Sequence, residues 1–252
     1  MKRLFFSILV LTLTSFNWIS AISLPNEDLN YKVTYKWGLI HTQAGRATLS
    51  LRNNGNKYTA TLVGRTEDWA DHIYPVRDTL YSEMTHNFTP IKYVKIANEN
   101  RKYIREQIDY IVVGNNYTGN CSRYRIKKGD TDFSTETSTL HSTGTTVDIL
   151  SVFYYLRTLD FPSMKNGEKE TINIFSGKRK EILEIMYKGR ETINIDKKKY
   201  DTHHISFKFA SEDGKKTSDD IETWISADSQ RIPIKLEGCL AIGKIRCLYL
   251  EN

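Results

Sequence analysis

The sequence predicts a mainly β protein: an antiparallel curved sheet forming an open or spiral barrel-like roll, with one amphipathic helix at about 146–160 packed on it. Three observations lead to this fold class. Runs of alternating apolar and polar residues recur along nearly the whole chain, as in strands that bury one face. Short polar turn sequences separate neighbouring runs, which favours antiparallel hairpins over crossover helices. One segment shows helical spacing instead.

The strand pattern is clear at the beginning of the chain and resumes after the helix. In YKVTYKW the alternate residues from Tyr31 to Trp37 share one face, and in GRATLSLR those from Ala47 to Leu51 do the same. The turn sequence NNGN at 53–56 follows at once. The other runs predicted to form strands are KYTATLVG, VRDTLYSEM, PIKYVKIAN, RKYIREQIDYIVV, ETINIFSG, KEILEIMYKG, YDTHHISFKFA, SDDIETWIS, RIPIKLEG and GKIRCLYLE.

The single helix is predicted in TVDILSVFYYLRTLDFP. Thr145 or Thr146 can cap its amino end. Asp148 suits the dipole of the first turn, and Pro162 marks the end. The apolar side consists of Ile149, Val152, Phe153, Leu156 and Leu159, and the polar side of Asp148, Ser151, Tyr155 and Thr158. Such a helix packs on the inner face of the sheet, where it either closes the core or plugs a hydrophobic cavity in the mouth of the roll.

The amino end has the pattern of a secretory signal. Lys2 and Arg3 precede an apolar run at 4–13, and weakly polar residues follow. Ala21 and Ser23 supply the small residues that a signal peptidase requires. We therefore expect the chain to be exported.

These features divide the chain into a signal peptide at 1–23 and a single β-rich domain at 24–252. An uncleaved anchor is the alternative, because no charged residue lies between Arg3 and Glu27. A hydrophobic fraction of 39% is sufficient for a core in a chain of this length. Within the domain, the Ser- and Thr-rich interval 127–145 is predicted to be either a mobile segment or an irregular edge strand.

The charge distribution argues against a nucleic-acid partner. The formal net charge of +6 falls to +4 when Lys2 and Arg3 leave with the signal peptide. The remaining basic residues are scattered, without a concentrated stripe or a reading motif. Since no second long apolar segment is present, we expect no transmembrane segment in the mature chain.

The cysteines do not form a disulfide scaffold, because there are only three of them: Cys121, Cys239 and Cys247. A turn centred on Gly243 would set Cys239 opposite Cys247, whereas a two-residue turn at 242–243 would not. The sequence leaves open whether these two residues are bridged.

The best polar cluster lies in DWADHIYPVRD. It gathers Asp68, Asp71 and Asp78 around His72. Such a group can form a metal or acid-base site, although charged turns of this composition are common. No elbow of the G-x-S-x-G type, HExxH, C-x-x-C or Gly-rich phosphate loop is present. We therefore assign no catalytic residue, no metal ligand and no cofactor.

Two further segments carry candidate binding residues. His203 shares a strand face with Ile205 and further apolar residues, which favours a core or pocket position over a catalytic one. In DDIETWISADSQRIPIKLEG, Asp228 and Arg231 either pair across a turn or, with Trp224, leave the guanidinium free to recognise an acidic or glycan ligand.

The order of the motifs resembles a known family. The segments are LNYKVTYKWGLIHTQAGRATLSL, VRDTLYSEM, VDILSVFYYLRTLDF, MKNGEKETINIFSGKRKEILEIMYKGRETI and DDIETWISADSQRIPIKLEGCLAIGKIRCLYL. Together they are similar to exported Gram-negative proteins of domain-of-unknown-function family 3108, over almost the whole mature chain. The resemblance implies an antiparallel β protein of the periplasm or the outer-membrane periphery, with a curved or spiral half-barrel similar to periplasmic lipoprotein carriers. It supplies no catalytic residue.

Three functions follow from these observations. The first is a non-catalytic envelope protein that binds or carries an apolar or amphipathic, lipid- or glycan-like ligand. The second is a structural or assembly partner of an envelope complex, and the third is an envelope hydrolase that uses His72 or His203. The residues predicted to line a ligand pocket are Trp37, Phe153, Leu156, His203, Trp224 and Arg231.

Overall fold

Fifteen strands and two short helices make up the described part of the chain. The structure is a computed structural model and describes residues 23–37, 40–100, 102–126, 129, 133–212, 215, 218–239 and 243–251, with only the backbone described at Trp37, Ile40 and His41. The strands are β1 (Glu27–Trp37), β2 (Ile40–Asn53), β3 (Tyr58–Thr66), β4 (Val76–Met84), β5 (Pro90–Glu99), β6 (Lys102–Val113), β7 (Asn116–Ile126), β8 (Phe133–Thr143), β9 (Thr146–Asp148), β10 (Lys169–Ser176), β11 (Arg179–Ile195), β12 (Lys198–Ala210), β13 (Ile221–Ser226), β14 (Pro233–Cys239) and β15 (Lys244–Leu250). The helices are α1 (Asp68–Asp71) and α2 (Ser151–Thr158).

All fifteen strands belong to one sheet that rolls into a nearly closed barrel. The order runs β8-β7-β6-β5-β4-β3-β2-β1-β15-β14-β13-β12-β11-β10-β9. The edges approach other walls of the roll, since β8 comes close to β11 and β9 comes close to β5. Neighbouring strands are antiparallel except for the parallel pair β9 and β10. The predicted mainly β, antiparallel, barrel-like fold is therefore confirmed.

The chain crosses from one edge of the sheet to the other between β8 and β9. Gly144 has a positive φ of 93° at this crossing, a conformation that favours glycine. Its N–H donates to the carbonyl of Asn115 at 2.8 Å. The side-chain amide of Asn173 on β10 donates to the carbonyl of Thr143 at 3.0 Å. The Asn173 bond joins β10 to the end of β8, whereas the Gly144 bond holds the start of the crossing against the turn between β6 and β7.

The hairpin of β10 and β11 packs on the inner face of β6 and β7. The ring of Phe175 is completely buried there and stacks on Tyr110, with ring centroids 5.7 Å apart. It also fills the space above Gly119, where an added Cβ would lie 2.7 Å from the ring. The glycine therefore permits the close overlap that gives the sheet its spiral form.

Helix α2 is shorter than the sequence predicts. It begins at Ser151 rather than at Thr146, because residues 146–148 pair with β10 as strand β9. Asp148 performs the capping that was expected of Thr145 or Thr146, since its carboxylate accepts hydrogen bonds from the N–H groups of Leu150 and Ser151 at 2.8 and 2.7 Å.

The helix lies between two halves of the core, and only Phe153, Tyr155 and Thr158 on it are partly exposed. Leu150 and Tyr154 pack in the cluster on the β1–β7 wall, whereas Val152 and Leu156 pack in the cluster on β10–β13. Phe153 contacts both clusters. The predicted polar side is wrong at Asp148 and Ser151, which are fully buried, because the rolled sheet surrounds the start of the helix.

The predicted signal peptide at 1–23 lies outside the described residues except for Ser23. In the interval 127–145, the described residues 133–143 form β8 at one edge of the sheet. Neither described helix has the length and apolar character of a membrane-crossing helix. Cys239 and Cys247 are free thiols, because Cys239 pairs with Lys244 and Cys247 pairs with Leu236 in the register of β14 and β15.

Candidate ligand-binding lumen

An apolar cavity of about 100 Å³ lies between helix α2 and the wall formed by β1, β2, β3, β14 and β15. Phe153 is the helix residue that faces it. The cavity is lined by Tyr31, Ala47, Leu49, Leu62, Phe153, Pro233, Leu236 and Cys247. Ala47 is small among these residues, so the wall of β2 leaves space that a larger side chain would fill.

The polar atoms near the cavity are turned away from it or kept neutral. The hydroxyl of Tyr31 donates to the carbonyl of Pro233 at 3.0 Å. Burial raises the pKa of Tyr31 well above its ordinary value. Burial also raises the pKa of the Cys247 thiol to about 11. The lining therefore presents an uncharged, apolar surface at neutral pH.

One cross-strand row shows how the inner wall changes from apolar to charged. The residues directly opposite one another on successive strands β2 to β8 are Leu49, Leu62, Leu80, Lys95, Glu106, Arg123 and Glu136. Leu49 and Leu62 line the cavity. Lys95 is the first charged residue of the row, and its neighbours two positions away on β5, Tyr93 and Ala97, are both buried. Since alternate residues of a strand share a face, Lys95 faces the lumen.

The acidic groups of this charged wall already have partners. Arg123 Nε lies 2.9 Å from Glu106 Oε1. Asp78 accepts a hydrogen bond from the N–H of Asn98 at 3.1 Å. Burial, with the charge of Glu99 as second cause, raises the pKa of Asp78 to about 6. Among the described residues, no carboxylate lies within ion-pairing distance of the Lys95 ammonium group.

Buried polar groups continue from the charged wall to the start of α2. The Asp148 carboxylate is completely buried and accepts from the hydroxyl of Ser82 at 2.8 Å. Burial raises its pKa to about 6, against the opposing effect of its hydrogen bonds. The hydroxyl groups of Tyr93 and Tyr110 are buried close by and have no hydrogen-bond partner among the described residues. Burial and the charges of Asp148 and other carboxylates raise the pKa of Tyr93.

Arg231 closes the carboxyl end of α2. Its Nη1 donates to the carbonyls of Arg157 and Leu159, both at 2.7 Å. Carbonyls at this end of a helix lack partners within the helix, so a cation is favourable here. The predicted side-chain pair of Asp228 and Arg231 is absent, because Asp228 accepts from Ser226 Oγ at 2.8 Å and from backbone N–H groups of its own turn.

His203 lies next to this helix end, and no carboxylate among the described residues is hydrogen-bonded to it. It stacks on Phe161, with centroids 4.2 Å apart, and its Nδ1 lies 2.9 Å from the hydroxyl of Tyr187. The guanidinium of Arg231 lies 5.2 Å from the centroid of the same Phe161 ring. Burial lowers the pKa of His203, which favours the neutral imidazole.

Trp224 projects from the outer face of the sheet, opposite to its neighbour Ile225 in the core. It stacks on His204 at 4.4 Å, and the Lys235 ammonium lies 3.8 Å from its ring centroid. Its indole N–H donates to Glu191 at 2.6 Å. Trp224 therefore belongs to a packed ladder of outer side chains.

The six residues predicted for the pocket do not meet at one site. Phe153 lines the cavity and Leu156 packs in the core. His203 and Arg231 contact Phe161 at the helix end, and Trp224 lies outside the roll. The side chain of Trp37 is outside the described residues.

The charged residues of DWADHIYPVRD also do not form a single site. His72 Nδ1 donates to the backbone carbonyl of Asp68 at 2.8 Å. Asp71 accepts from Arg77 Nη1 at 3.0 Å, and its hydrogen bonds to Arg77 and Thr66 lower its pKa to about 2. Asp78 faces the lumen. Over the described residues, no group of three or more His, Cys, Asp and Glu side chains is placed to hold a metal ion.

The comparisons place this architecture among barrel-like β proteins. The chain is similar to a crystal structure described as a beta-barrel-like protein of domain of unknown function DUF1849 from Brucella abortus, with a TM-score of 0.62 and 12% identity over 92% of this chain and 98% of that one. At this identity the likeness shows the fold alone. The model of DUF3108, a family of proteins of unknown function, matches residues 30–248, so the chain belongs to DUF3108. A search of curated proteins finds no match.

Proposed function

We propose that this chain is an exported cell-envelope protein that binds an apolar or amphipathic, lipid- or glycan-like ligand in its lumen. The observation that carries the proposal is the apolar cavity of about 100 Å³ between Phe153 and the β1–β3 wall. A dry apolar cavity of roughly 150 Å³ is known to bind benzene. A cavity with this apolar lining therefore suits a short apolar segment of a ligand.

The position of the helix explains how a larger ligand would be accommodated. Phe153 is only partly buried and contacts both halves of the core. A rotation of this one side chain would enlarge the cavity without removing Leu150 or Leu156 from their clusters. The helix then acts as a plug in which Phe153 is the movable side chain.

Export and location in the periplasm or at the outer-membrane periphery rest on the amino-terminal segment. Its basic start, apolar run and small residues are typical of a cleaved secretory signal. Intact-mass measurement on protein from the envelope fraction of its host tests this part. A mature chain beginning close to residue 22 or 24 is expected, and an unprocessed mass contradicts it.

Filling the cavity tests the binding itself. We expect Ala47→Leu to weaken binding of the neutral fluorescent probe phenylnaphthylamine roughly tenfold or more, about 1.4 kcal/mol, because the added carbons occupy the cavity. Val63→Leu is the matched control, since Val63 lies on β3 beside Leu62 but is exposed on the outer face. Equal affinity of both variants would contradict a ligand in this cavity.

Native mass spectrometry on the same envelope-derived protein identifies the ligand class. A reproducible added mass that is lost on denaturation is expected. The Ala47→Leu variant should carry less of it than the Val63→Leu variant.

A second candidate function, assembly with an envelope partner, is favoured by the edge strand β8. Among the described residues, β8 pairs only with β7, and its end residue Phe133 is 63% exposed. Open edges are sites for pairing with another chain. Photocross-linking from Thr139, with position 63 as control, tests this role: a specific adduct from Thr139 alone supports it. We do not propose a hydrolase, because among the described residues no carboxylate is hydrogen-bonded to His72 or His203.

A further inference from the structure

The lumen combines an apolar cavity with a lysine on the adjoining wall, Lys95, that forms no ion pair with any described residue. Leu62, which lines the cavity, lies directly opposite Leu80, and Leu80 lies directly opposite Lys95. Adjacent strands are about 4.8 Å apart, so the backbones of Leu62 and Lys95 are separated by only about 10 Å. The long stem of lysine can bridge part of this distance along the apolar surface of Leu80.

The environment of Lys95 is arranged for a guest with a negative charge. Lys95 is only partly exposed on a lumen-facing position. The acids nearest to it in the sheet have closer partners: Glu106 lies against Arg123, and Asp78 interacts with Glu99 and the N–H of Asn98. The charge of Lys95 also acts on Asp78, and it lowers the pKa of that carboxyl from beyond ion-pairing distance. Because no described carboxylate lies within ion-pairing distance of this ammonium group, an anion brought by a ligand could form a direct charge-assisted contact with it.

A second, independent feature lies two residues earlier on the same strand. Tyr93 is 1% exposed, and its hydroxyl has no hydrogen-bond partner among the described residues. Such a buried, unsatisfied group is rare in folded proteins. Burial and the nearby carboxylates raise the pKa of Tyr93, so the hydroxyl keeps its proton and is able to donate it to an acceptor.

We propose that Lys95 binds the anionic head group of an amphiphile whose apolar chain occupies the cavity, and that Tyr93 donates a second hydrogen bond to that head group. This inference rests on the proposed function and adds the chemical class of the ligand: a single chain ending in a carboxylate or a phosphate. Lys95 and Tyr93 then determine which amphiphiles are bound, while Phe153, Leu49 and Leu62 bind their apolar part.

The test compares four ten-carbon ligands that differ only in the head group: decanoate, decyl phosphate, decanol and decylamine. Each displaces phenylnaphthylamine from the full mature protein. We expect decanoate or decyl phosphate to bind roughly tenfold or more tightly than decanol, as one charge-assisted contact allows, and decylamine to bind least. Whichever of the two anions binds more tightly shows whether the head group of the ligand is a carboxylate or a phosphate.

The variants assign this preference to Lys95. Lys95→Gln should remove the difference in affinity between the anion and decanol, and Lys95→Arg should retain it. Lys92→Gln is the matched control, because Lys92 lies three residues away on β5 on the outer face, beside Asp109 at 3.5 Å. Thermal unfolding of each variant confirms that it is folded; loss of an unpaired inner charge is not expected to lower the melting temperature.

The outcomes separate the two proposals. If decanol and the anions bind the wild type equally, or decylamine binds best, the inference about Lys95 is wrong and the proposed function stands. If Lys95→Gln keeps the anion preference, Lys95 is likewise not the head-group site. If none of the four ligands displaces the probe, the proposed lumen function is wrong, and the inference that rests on it is wrong as well.

Discussion

Arg157 and Glu27 form a buried ion pair that joins helix α2 to the first strand of the domain. Arg157 is 0% exposed, and its Nη2 lies 3.0 Å from Glu27 Oε2 while Nη1 donates to the other carboxylate oxygen. Nη2 also donates to the carbonyl of Gln230 at 2.8 Å. The helix, β1 and the turn before β14 are thus held at one point.

Removing one partner of this pair is expected to be costly. Arg157→Met leaves the Glu27 carboxylate, only 10% exposed, without a counter-ion, so the free energy of unfolding should fall by roughly 3–5 kcal/mol. Urea denaturation measures it. The double variant Glu27→Leu/Arg157→Met should lose less, because no uncompensated charge remains. The control is Arg190→Met, which breaks the exposed ion pair with Asp201. A similar loss of unfolding free energy in Arg157→Met and Arg190→Met would show that burial of the Arg157–Glu27 pair is unimportant.

The overlap of the β10–β11 hairpin on the opposite wall gives a second prediction. Gly119→Ala places a Cβ 2.7 Å from the Phe175 ring, so the hairpin must shift, and a loss of roughly 1–3 kcal/mol is expected. Gly64→Ala on β3 has nothing within 4 Å of the added Cβ, and it should change stability by less than about 1 kcal/mol. Thermal unfolding of both variants checks this. If the two alanines behaved alike, the close packing at Gly119 would not contribute to stability.

The strands were predictable where one face is apolar and the other polar. VRDTLYSEM coincides with β4 in both bounds. Strand β7, NYTGNCSRYRI, was not predicted, because it has little apolar alternation; it is a strand because β6 and β8 hydrogen-bond to both of its edges. The start of α2 was misplaced, since Thr146 and Asp148 satisfy their backbone through β10, a contact that only the closed roll creates.

The site was less predictable than the fold. Phe153 was expected to face a cavity and lines one. Lys95 and Tyr93 were not expected, because both faces of the strand in PIKYVKIAN carry apolar residues: Ile91, Tyr93 and Ala97 on one, and Val94 and Ile96 on the other. The roll places Tyr93 and Lys95 inside. The sequence signal for such a site is a strand whose two faces are about equally apolar, which leaves the direction undecided until the neighbouring strands are known.

Asp148 predicts a characteristic pH dependence. Its pKa is raised from 3.8 to about 6 in the folded state, chiefly by burial, so the folded protein binds this proton more tightly than the unfolded chain. Its contribution to stability is therefore greatest below about pH 4 and falls as the pH rises through about 6. Asp148→Asn keeps an acceptor for the N–H groups of Leu150 and Ser151 but does not titrate. The wild type should lose stability relative to this variant by roughly 2 kcal/mol between about pH 4 and pH 7. Unfolding measured at several pH values checks this, and a constant difference would contradict it.

The thiols report on the cavity directly. Cys247 lines it and has its pKa raised to about 11 by burial, whereas Cys239 is exposed at the end of β14. Since the thiolate is the reactive form, iodoacetamide at about pH 8 should modify Cys239 at least about a hundredfold faster than Cys247.

In the variant Cys239→Ser, the remaining slow reaction of Cys247 becomes a probe of occupancy, measured by intact mass. Any ligand that fills the cavity covers its sulfur and should slow the reaction further, in proportion to saturation. Ala47→Leu should remove this protection because the ligand no longer enters. A ligand that binds without protecting Cys247 would be bound elsewhere, and comparable rates for Cys239 and Cys247 in the wild type would mean that the cavity is open to water.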